Sequence, residues 1–115
     1  MQHLVFVYGT LRQGESNHHY MQSAQLLGLH ETQPEYALYD LGPYPAVIEG
    51  HHAIQGEVYL VDSETLAELD KLEDVPVEYR RELIDTPYGQ AWIYLYQDSA
   101  HLDSLIASGD WCQRV

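Results

Sequence analysis

The architecture of the chain can be worked out from one segment near its beginning, LVFVYGTLRQGESNH, residues 4–18. Residues 4–8 form a continuous apolar run of β-branched and aromatic side chains, which predicts a strand buried on both faces. Gly9 ends this strand. Residues 9–17 contain two glycines and several capping residues, so they predict a loop that leads into a short helix over residues 18–24. A junction of strand and loop of this kind presents free backbone N–H groups.

Further strands are predicted on both sides of a proline-rich loop. Residues 26–29 and 36–41 indicate strands, and the Gly-Pro-Tyr-Pro sequence at 42–45 predicts a loop because its two prolines remove backbone donors and restrict φ. Residues 54–61 indicate another strand. Two later runs flank a Pro-Tyr-Gly turn and therefore predict a hairpin, with strands over residues 79–86 and 90–97.

One longer helix is predicted over residues 65–73. Asp62 and Ser63 are N-cap candidates, and Pro76 prevents continuation of the helix. A second short helix is expected over residues 102–107, before Gly109. About six strands and two or three short helices indicate an α+β fold with a curled, mostly antiparallel sheet. Since 115 residues suffice for one ordinary core, residues 1–115 are expected to form a single domain.

The net charge of the chain disfavours several classes of binding partner. It has 18 Asp and Glu against 5 Lys and Arg, a formal net charge of −13, which would repel nucleic acids and anionic lipids. The same field disfavours anionic small molecules, so a substrate carboxylate would need local donors such as backbone N–H groups. Residues 1–8 lack a basic targeting region, and no apolar run is long enough to cross a bilayer, so a soluble, cytoplasmic protein without a membrane partner is expected.

The predicted helix over residues 65–73 places one acid near its apolar side. At about 100° per residue, Glu73 lies roughly 50° from the centre of the stripe formed by Thr65, Leu66, Leu69 and Leu72. Partial burial and the negative end of the helix dipole would both raise the pKa of Glu73 towards the range useful for a general base. The alternative is a Glu that tilts out to solvent at the helix end, and the periodicity leaves both open.

Four segments in the same order resemble the γ-glutamylcyclotransferase-like family. The first, residues 8–18, contains Tyr-Gly-Thr-Leu followed by a basic residue, a Gly and an Asn, and is called the signature loop below. The second and third are GPYPAV at 42–47 and GEVY at 56–59. The fourth is LDKLEDVPVEYRR at 69–81, where Glu73 is followed by a Pro, a Tyr and an Arg, as in the γ-glutamylamine cyclotransferase branch.

This resemblance implies a small barrel-like α+β fold with a cavity between the signature loop and Glu73. It also implies release of 5-oxoproline and a free amine from a small γ-glutamyl amine, with no cofactor and no metal. Glu73 would take a proton from the substrate α-ammonium and later return it to the leaving amine. The substrate-binding residues would be Tyr8 and Tyr79, which line the pocket, and three residues whose backbone N–H groups bind its anionic groups, namely Gly9, Thr10 and Leu11.

Several of these residues also have purely structural explanations. Tyr8 and Tyr79 would also suit ordinary core positions. Arg12 would either attract the substrate carboxylate or relieve local negative charge, and the second is favoured. Thr10 and Asn17 would also serve only to cap and order the loop.

Other chemistries find little support in the sequence. The seven His include the pairs 18–19 and 51–52, but no His-Glu-x-x-His pattern or cysteine pair completes a zinc site. No Gly-x-Ser-x-Gly motif supports a hydrolase built on Ser16, and Cys112 is taken as structural. Two alternatives stay open: a non-catalytic family member that binds a small metabolite, and the same chemistry on a γ-glutamyl dipeptide or a γ-glutamyl-protected intermediate. The leaving amine is not determined, because that half of the substrate would be held by loop residues 44–49, whose conformation the local pattern does not reveal. The oligomeric state is not determined either.

Overall fold

The computed structural model describes residues 1–100 and 102–113, and within them seven strands and one α-helix follow one another along the chain. The strands are β1 (Gln2–Val7), β2 (Gln25–Glu31), β3 (Tyr36–Asp40), β4 (Pro45–Glu49), β5 (Gln55–Asp62), β6 (Tyr79–Thr86) and β7 (Gly89–Tyr96). The α-helix, α1 (Ser63–Leu72), lies between β5 and β6. Two 3₁₀ helices span His18–Met21 and Trp111–Gln113.

Five strands form one mixed sheet in the order β2-β5-β1-β7-β6, and β3 pairs with β4 in a separate hairpin. All neighbouring pairs are antiparallel except β1 and β7. The sheet curls, since the Tyr88 hydroxyl in the β6–β7 turn donates to the Leu29 carbonyl of the opposite edge strand at 3.4 Å. The predicted α+β class with a mostly antiparallel, curled sheet is confirmed, although the sheet does not close into a barrel because β2 and β6 remain its edges.

The central strand β1 is buried on both faces, as its apolar run predicts. Phe6 belongs to one apolar cluster together with side chains of the β3–β4 hairpin, while Val5 and Val7 belong to a second cluster together with Leu69 of α1. Alternate residues of a strand point to opposite faces, so the helix and the hairpin cover the two sides of the sheet. The carboxyl end of β1 therefore emerges between two packed layers.

Helix α1 begins and ends close to the predicted positions. The Asp62 side chain accepts a hydrogen bond from the Thr65 N–H at 2.7 Å, which confirms Asp62 as the N-cap. Leu66 and Leu69 are buried against the sheet. Glu73 caps the carboxyl end with its N–H bonded to the Leu69 carbonyl at 2.9 Å, and the following residue takes a positive φ that ends the helix.

Three predicted elements differ from the structure. The helix expected over residues 18–24 is a 3₁₀ helix restricted to His18–Met21. The helix expected over residues 102–107 is wrong: Leu105 bridges Tyr39, and the Ile106 N–H bonds to the Leu38 carbonyl at 2.8 Å, so β3 takes up these backbone groups. Residues 45–49, expected to be loop, form β4. A proline is tolerated there because it is the first residue of the strand.

No helix in the described ranges is long and apolar enough to span a membrane.

Candidate active site

A cavity of about 160 Å³ lies where the end of β1, the end of α1 and the start of β4 meet. All six residues predicted to form the site line it: Tyr8, Gly9, Thr10, Leu11, Glu73 and Tyr79. They come from three separate parts of the chain, and the curled sheet brings them together. Tyr44, Glu78, Tyr94 and Asn17 also line the cavity.

The signature loop lines this cavity and contains backbone donors without an acceptor among the described residues. The loop is folded by its own hydrogen bonds: the Arg12 N–H donates to the Gly9 carbonyl at 3.0 Å, and the Asn17 N–H donates to the Thr10 carbonyl at 2.9 Å. Asn17 also donates from its side-chain amide to the Thr10 hydroxyl at 3.0 Å. By contrast, the N–H groups of Gly9, Thr10 and Leu11 donate to no other group in the described ranges. Successive free N–H groups beside a cavity are suited to binding an anion.

A glycine is required at position 9 for a steric reason as well. A Cβ atom at this position would lie 2.4 Å from Cγ of Pro45, at the start of β4. The close approach therefore needs a residue without a side chain. Gly9 lets the β3–β4 hairpin pack against the signature loop and form one wall of the cavity.

Arg12 does not line the cavity. Its guanidinium donates to the Glu57 carboxylate at 3.0 Å and to the Asp110 carboxylate at 2.7 Å, and Glu57 is 5% exposed. Glu57 also accepts from the backbone N–H of Gln13 at 3.1 Å. Of the two roles considered for Arg12, the structure supports relief of local negative charge, and the same ion pairs anchor the signature loop from behind.

Glu73 faces the cavity from the end of α1 and does not tilt out to solvent. Its carboxylate is surrounded by protein on most sides yet accessible from the cavity, and it forms no hydrogen bond or ion pair with any other described side chain. Burial raises the pKa of Glu73 to about 7, with a further contribution from the negative charge of Glu78. A carboxyl group with this pKa can both accept and release a proton near neutral pH.

The two predicted tyrosines line the cavity as rigid walls. Tyr8 donates its hydroxyl to the Tyr94 carbonyl at 2.6 Å, and Tyr79 donates to the Pro45 carbonyl at 2.6 Å. Burial raises the pKa of both phenols, so they stay protonated and keep donating to these carbonyls. Their rings are both core side chains and cavity walls, so a core position does not exclude contact with a substrate, and that contact stays a prediction.

Glu78 was not singled out from the sequence, and Tyr44 was named only as the first residue of the loop expected to hold the leaving amine. Tyr44 donates its hydroxyl to the Glu78 carboxylate at 2.7 Å, and this hydrogen bond raises the pKa of Tyr44 to about 12. Both residues lie in segments that carry the family resemblance, 42–47 and 69–81. Their pairing joins positions 34 residues apart, so only the tertiary structure brings them together.

The described residues contain no group of three or more His, Cys, Asp or Glu side chains placed to hold a metal ion. His18 instead bonds through Nδ1 to the Leu11 carbonyl at 2.9 Å. Neither a serine nor a histidine is among the described residues that line the cavity, and Ser16, which is described, does not line it.

The model of the family described as gamma-glutamyl cyclotransferase, AIG2-like, matches residues 5–113. A Vibrio cholerae serotype O1 protein that carries a provisional gamma-glutamylcyclotransferase name is 72% identical over 115 residues, which are 100% of each chain. The gamma-glutamylcyclotransferase family protein YtfP of Escherichia coli K12 is 50% identical over 110 residues, 96% of each chain.

Solved structures agree with these sequence matches. The solution NMR structure of Escherichia coli YtfP has a TM-score of 0.78 and covers 96% of this chain and 97% of that one. The crystal structure of an AIG2-like protein from Mus musculus, 28% identical, has a TM-score of 0.79 and covers 90% and 85% of the two chains. The similarity of sequence and fold extends over nearly the whole chain.

Proposed function

The chain belongs to the gamma-glutamyl cyclotransferase, AIG2-like family, and from this premise we propose that it converts a γ-glutamyl amine into 5-oxoproline and a free amine. The observation that carries the proposal is the pairing, around one cavity, of an unpartnered carboxylate with a pKa of about 7 and a set of free backbone N–H groups. The first is suited to proton transfer, and the second to binding negative charge.

The reaction begins with loss of a proton from the substrate α-ammonium, because the protonated nitrogen has no lone pair for attack. Glu73 accepts this proton. Since α-amino groups titrate near pH 8, transfer to a carboxylate with a pKa of about 7 costs about 1–2 kcal/mol. An ordinary glutamate with a pKa near 4.3 would face a cost of about 5 kcal/mol. The raised pKa of Glu73 therefore removes a large part of the barrier to proton transfer.

The freed nitrogen attacks the γ-carbonyl carbon of the same substrate, which forms the C–N bond of a five-membered lactam. Negative charge develops on the carbonyl oxygen, and the N–H groups of the signature loop would stabilise it without adding formal charge. Protonated Glu73 returns its proton to the leaving nitrogen as the bond from the γ-carbon to that nitrogen breaks. The attacking nitrogen, which is still a cationic NH2 group in the ring, gives up its second proton to the departing amine, so the products are a neutral lactam and an ammonium ion. Atoms and protons balance, so the reaction as written needs no cofactor or metal.

The size of the cavity limits which part of the substrate it can enclose. A cavity of about 150 Å³ accepts a benzene-sized molecule, and the cavity here measures about 160 Å³. It would therefore enclose the γ-glutamyl group and leave much of the amine outside. Holding this group in a bent conformation supplies the proximity that ring closure requires. A small γ-glutamyl compound is thus the proposed partner, with no nucleic acid or membrane and with the cytoplasm as the site of action.

The test measures 5-oxoproline released from γ-glutamyl amines, γ-glutamyl dipeptides and glutathione by the native protein and by Glu73→Gln. Gln keeps the shape of the side chain and cannot accept the proton, so we expect a loss of about a hundredfold or more in kcat/KM. Glu68→Gln is the matched control, because it removes the same charge from an exposed position of the same helix.

Three outcomes would change the proposal. Equal activity of native protein and Glu73→Gln would contradict the role of Glu73. A preference for dipeptides over amines would keep the reaction and change the substrate. If no compound yields 5-oxoproline while one of them binds in the cavity, the protein is a binding member of the family.

A further inference from the structure

The cavity has a second carboxylate, Glu78, at its rim. Its partner Tyr44 is 37% exposed, and the hydrogen bond between them is solvent-accessible. This bond occupies one carboxylate oxygen, Oε1, and the other oxygen has no partner in the described ranges. Tyr44 thus holds Glu78 in one orientation while leaving it able to accept a further hydrogen bond.

No positive side chain from the described part of the chain neutralises this rim. Each described Lys and Arg is paired elsewhere, in the ion pairs Arg12–Glu57, Arg12–Asp110, Lys71–Glu68, Arg80–Glu82 and Arg81–Asp70. The described residues that line the cavity include two carboxylates and no cation. A negatively charged rim without a counter-ion attracts a cationic ligand and repels an anionic one.

In the proposed reaction the γ-glutamyl group has one cation, its α-ammonium, and Glu73 accepts a proton from it. Its carboxylate and the developing oxyanion are assigned to the N–H groups of the signature loop. Glu78 is therefore not needed for the glutamyl half. Its hydrogen bond to Tyr44 is solvent-accessible, so Glu78 lies on the solvent side of the cavity, where an amine that the cavity cannot enclose would be placed.

From this arrangement, and resting on the proposed function, we infer that Glu78, oriented by Tyr44, selects γ-glutamyl amines whose leaving amine carries a second, positively charged nitrogen. An alkyl diamine joined through one nitrogen to the γ-carboxyl group has this chemistry. The free ammonium would donate to the unpaired oxygen of Glu78 outside the cavity. The net charge of −13 favours the approach of such a substrate.

The test compares two substrates that differ only in a terminal ammonium group, γ-glutamyl-5-aminopentylamide and γ-glutamyl-pentylamide. Specificity is measured as the ratio of the two kcat/KM values in direct competition. We expect the native protein to prefer the cationic compound by about tenfold or more, the contribution of one charge-assisted hydrogen bond. The preference should decrease as salt is added, because the rim is open to solvent.

Glu78→Gln keeps the shape of the side chain and removes its charge, so the ratio should fall to about one. The matched control is Glu49→Gln, an exposed carboxylate outside the cavity, which removes the same charge from the whole molecule and should leave the ratio unchanged. Tyr44→Phe provides a second route to the same conclusion, because loss of the orienting hydroxyl should lower the ratio with the charge of Glu78 intact.

The outcomes separate this inference from the proposed function. Equal turnover of both compounds by the native protein overturns the inference and leaves the cyclotransferase reaction standing. A preference that survives in both Glu78→Gln and Tyr44→Phe also overturns it. If neither compound yields 5-oxoproline with the native protein, while γ-glutamyl dipeptides do, the choice of amine fails with the reaction intact; no product from any γ-glutamyl compound removes the proposed function itself.

Discussion

At the scale of single residues, Glu73 combines features that rarely occur together in an acidic protein. It is a carboxylate without a hydrogen-bonding partner among the described residues, and it is largely buried. It also lies close enough to Glu78 for that negative charge to raise its pKa. Because its surroundings disfavour the ionised form, the pKa of Glu73 rises to about 7. Glu57, by contrast, is buried but accepts hydrogen bonds from three partners. The contrast distinguishes an acid placed for proton transfer from one placed for structure.

The pH dependence of the reaction follows from the same environment. Glu73 accepts a proton only when ionised, so kcat/KM should fall as the pH decreases through about 7. This acidic limb of the profile gives the pKa of Glu73 in the free enzyme. Glu78→Gln removes a neighbouring negative charge and should move this limb to lower pH. The measurement is a pH profile with the neutral pentylamide substrate, so that substrate selection by Glu78 does not interfere.

Glu49→Gln serves as the control for this profile, because it also removes one negative charge but lies outside the cavity. An acidic limb that stays in place in Glu78→Gln would mean that burial alone sets the pKa of Glu73. An acidic limb near pH 4 in the native protein would assign the limb to a different carboxylate.

At the scale of structural elements, the signature loop is held by charges on its outer side. Arg12 reaches Glu57 on β5 and Asp110 near the described carboxyl-terminal end, and Glu57 holds the backbone of the next loop residue. The loop thus keeps its N–H groups in position through contacts that lie outside the cavity. Preorganised donors of this kind lose their effect when their support is removed.

Replacement of Arg12 by Met should therefore affect both stability and catalysis. Removal of the guanidinium leaves two poorly exposed carboxylates without a cationic partner, which should lower the free energy of unfolding by about 3 kcal/mol. The loss of loop support should also lower kcat. Urea denaturation and initial rates at saturating substrate measure the two effects.

Arg80→Met is the matched control, because Arg80 and Glu82 form an ion pair whose side chains are 37% and 49% exposed. Its loss should cost less than about 1 kcal/mol. If both variants lose the same small amount, the Arg12 pairs do not anchor the loop.

At the scale of the whole molecule, the sheet separates two apolar clusters, and the site lies where both reach the end of β1. Phe6 and Tyr8 belong to one cluster, Leu69 and Tyr79 to the other. The cavity is thus lined by the edges of the packed core and not by free surface loops alone. An ionised carboxylate in this position lowers the stability of the entire fold, because burial removes the water that stabilises the charge.

Unfolding at two pH values should reveal this cost. The pKa of Glu73 is raised from 4.5 to about 7 on folding, so the folded state loses stability as the pH rises between these values. Glu73→Gln has no ionised form. It should unfold with nearly the same free energy as the native protein at pH 5 and be more stable by about 1–3 kcal/mol at pH 8.

Chemical denaturation at pH 5 and pH 8 measures this difference, with Glu68→Gln as a control that should show none. A gain in Glu73→Gln that is the same at both pH values would mean that packing of the amide, and not loss of charge, stabilises the variant.

The sequence alone was sufficient for features that depend on neighbours along the chain. The apolar run of β1, the Asp62 cap of α1, the β6–β7 hairpin and the position of Glu73 on the helix are all set by local periodicity and turn chemistry. The family resemblance rests on the same local segments. It anticipated six of the residues that line the cavity, although their roles in the reaction remain predictions.

Long-range contacts determined the remaining features. Residues 45–49 form a strand because they pair with the neighbouring strand β3 across a short turn, which the prolines of this segment do not indicate. Residues 102–107 do not form a helix because β3, far earlier in the chain, supplies their hydrogen-bonding partners. The pairing of Tyr44 with Glu78 and the ion pairs of Arg12 join positions between 34 and 98 residues apart. A local pattern contains no information on such partners, since backbone groups and charges in those segments are satisfied only when the sheet curls and brings them together.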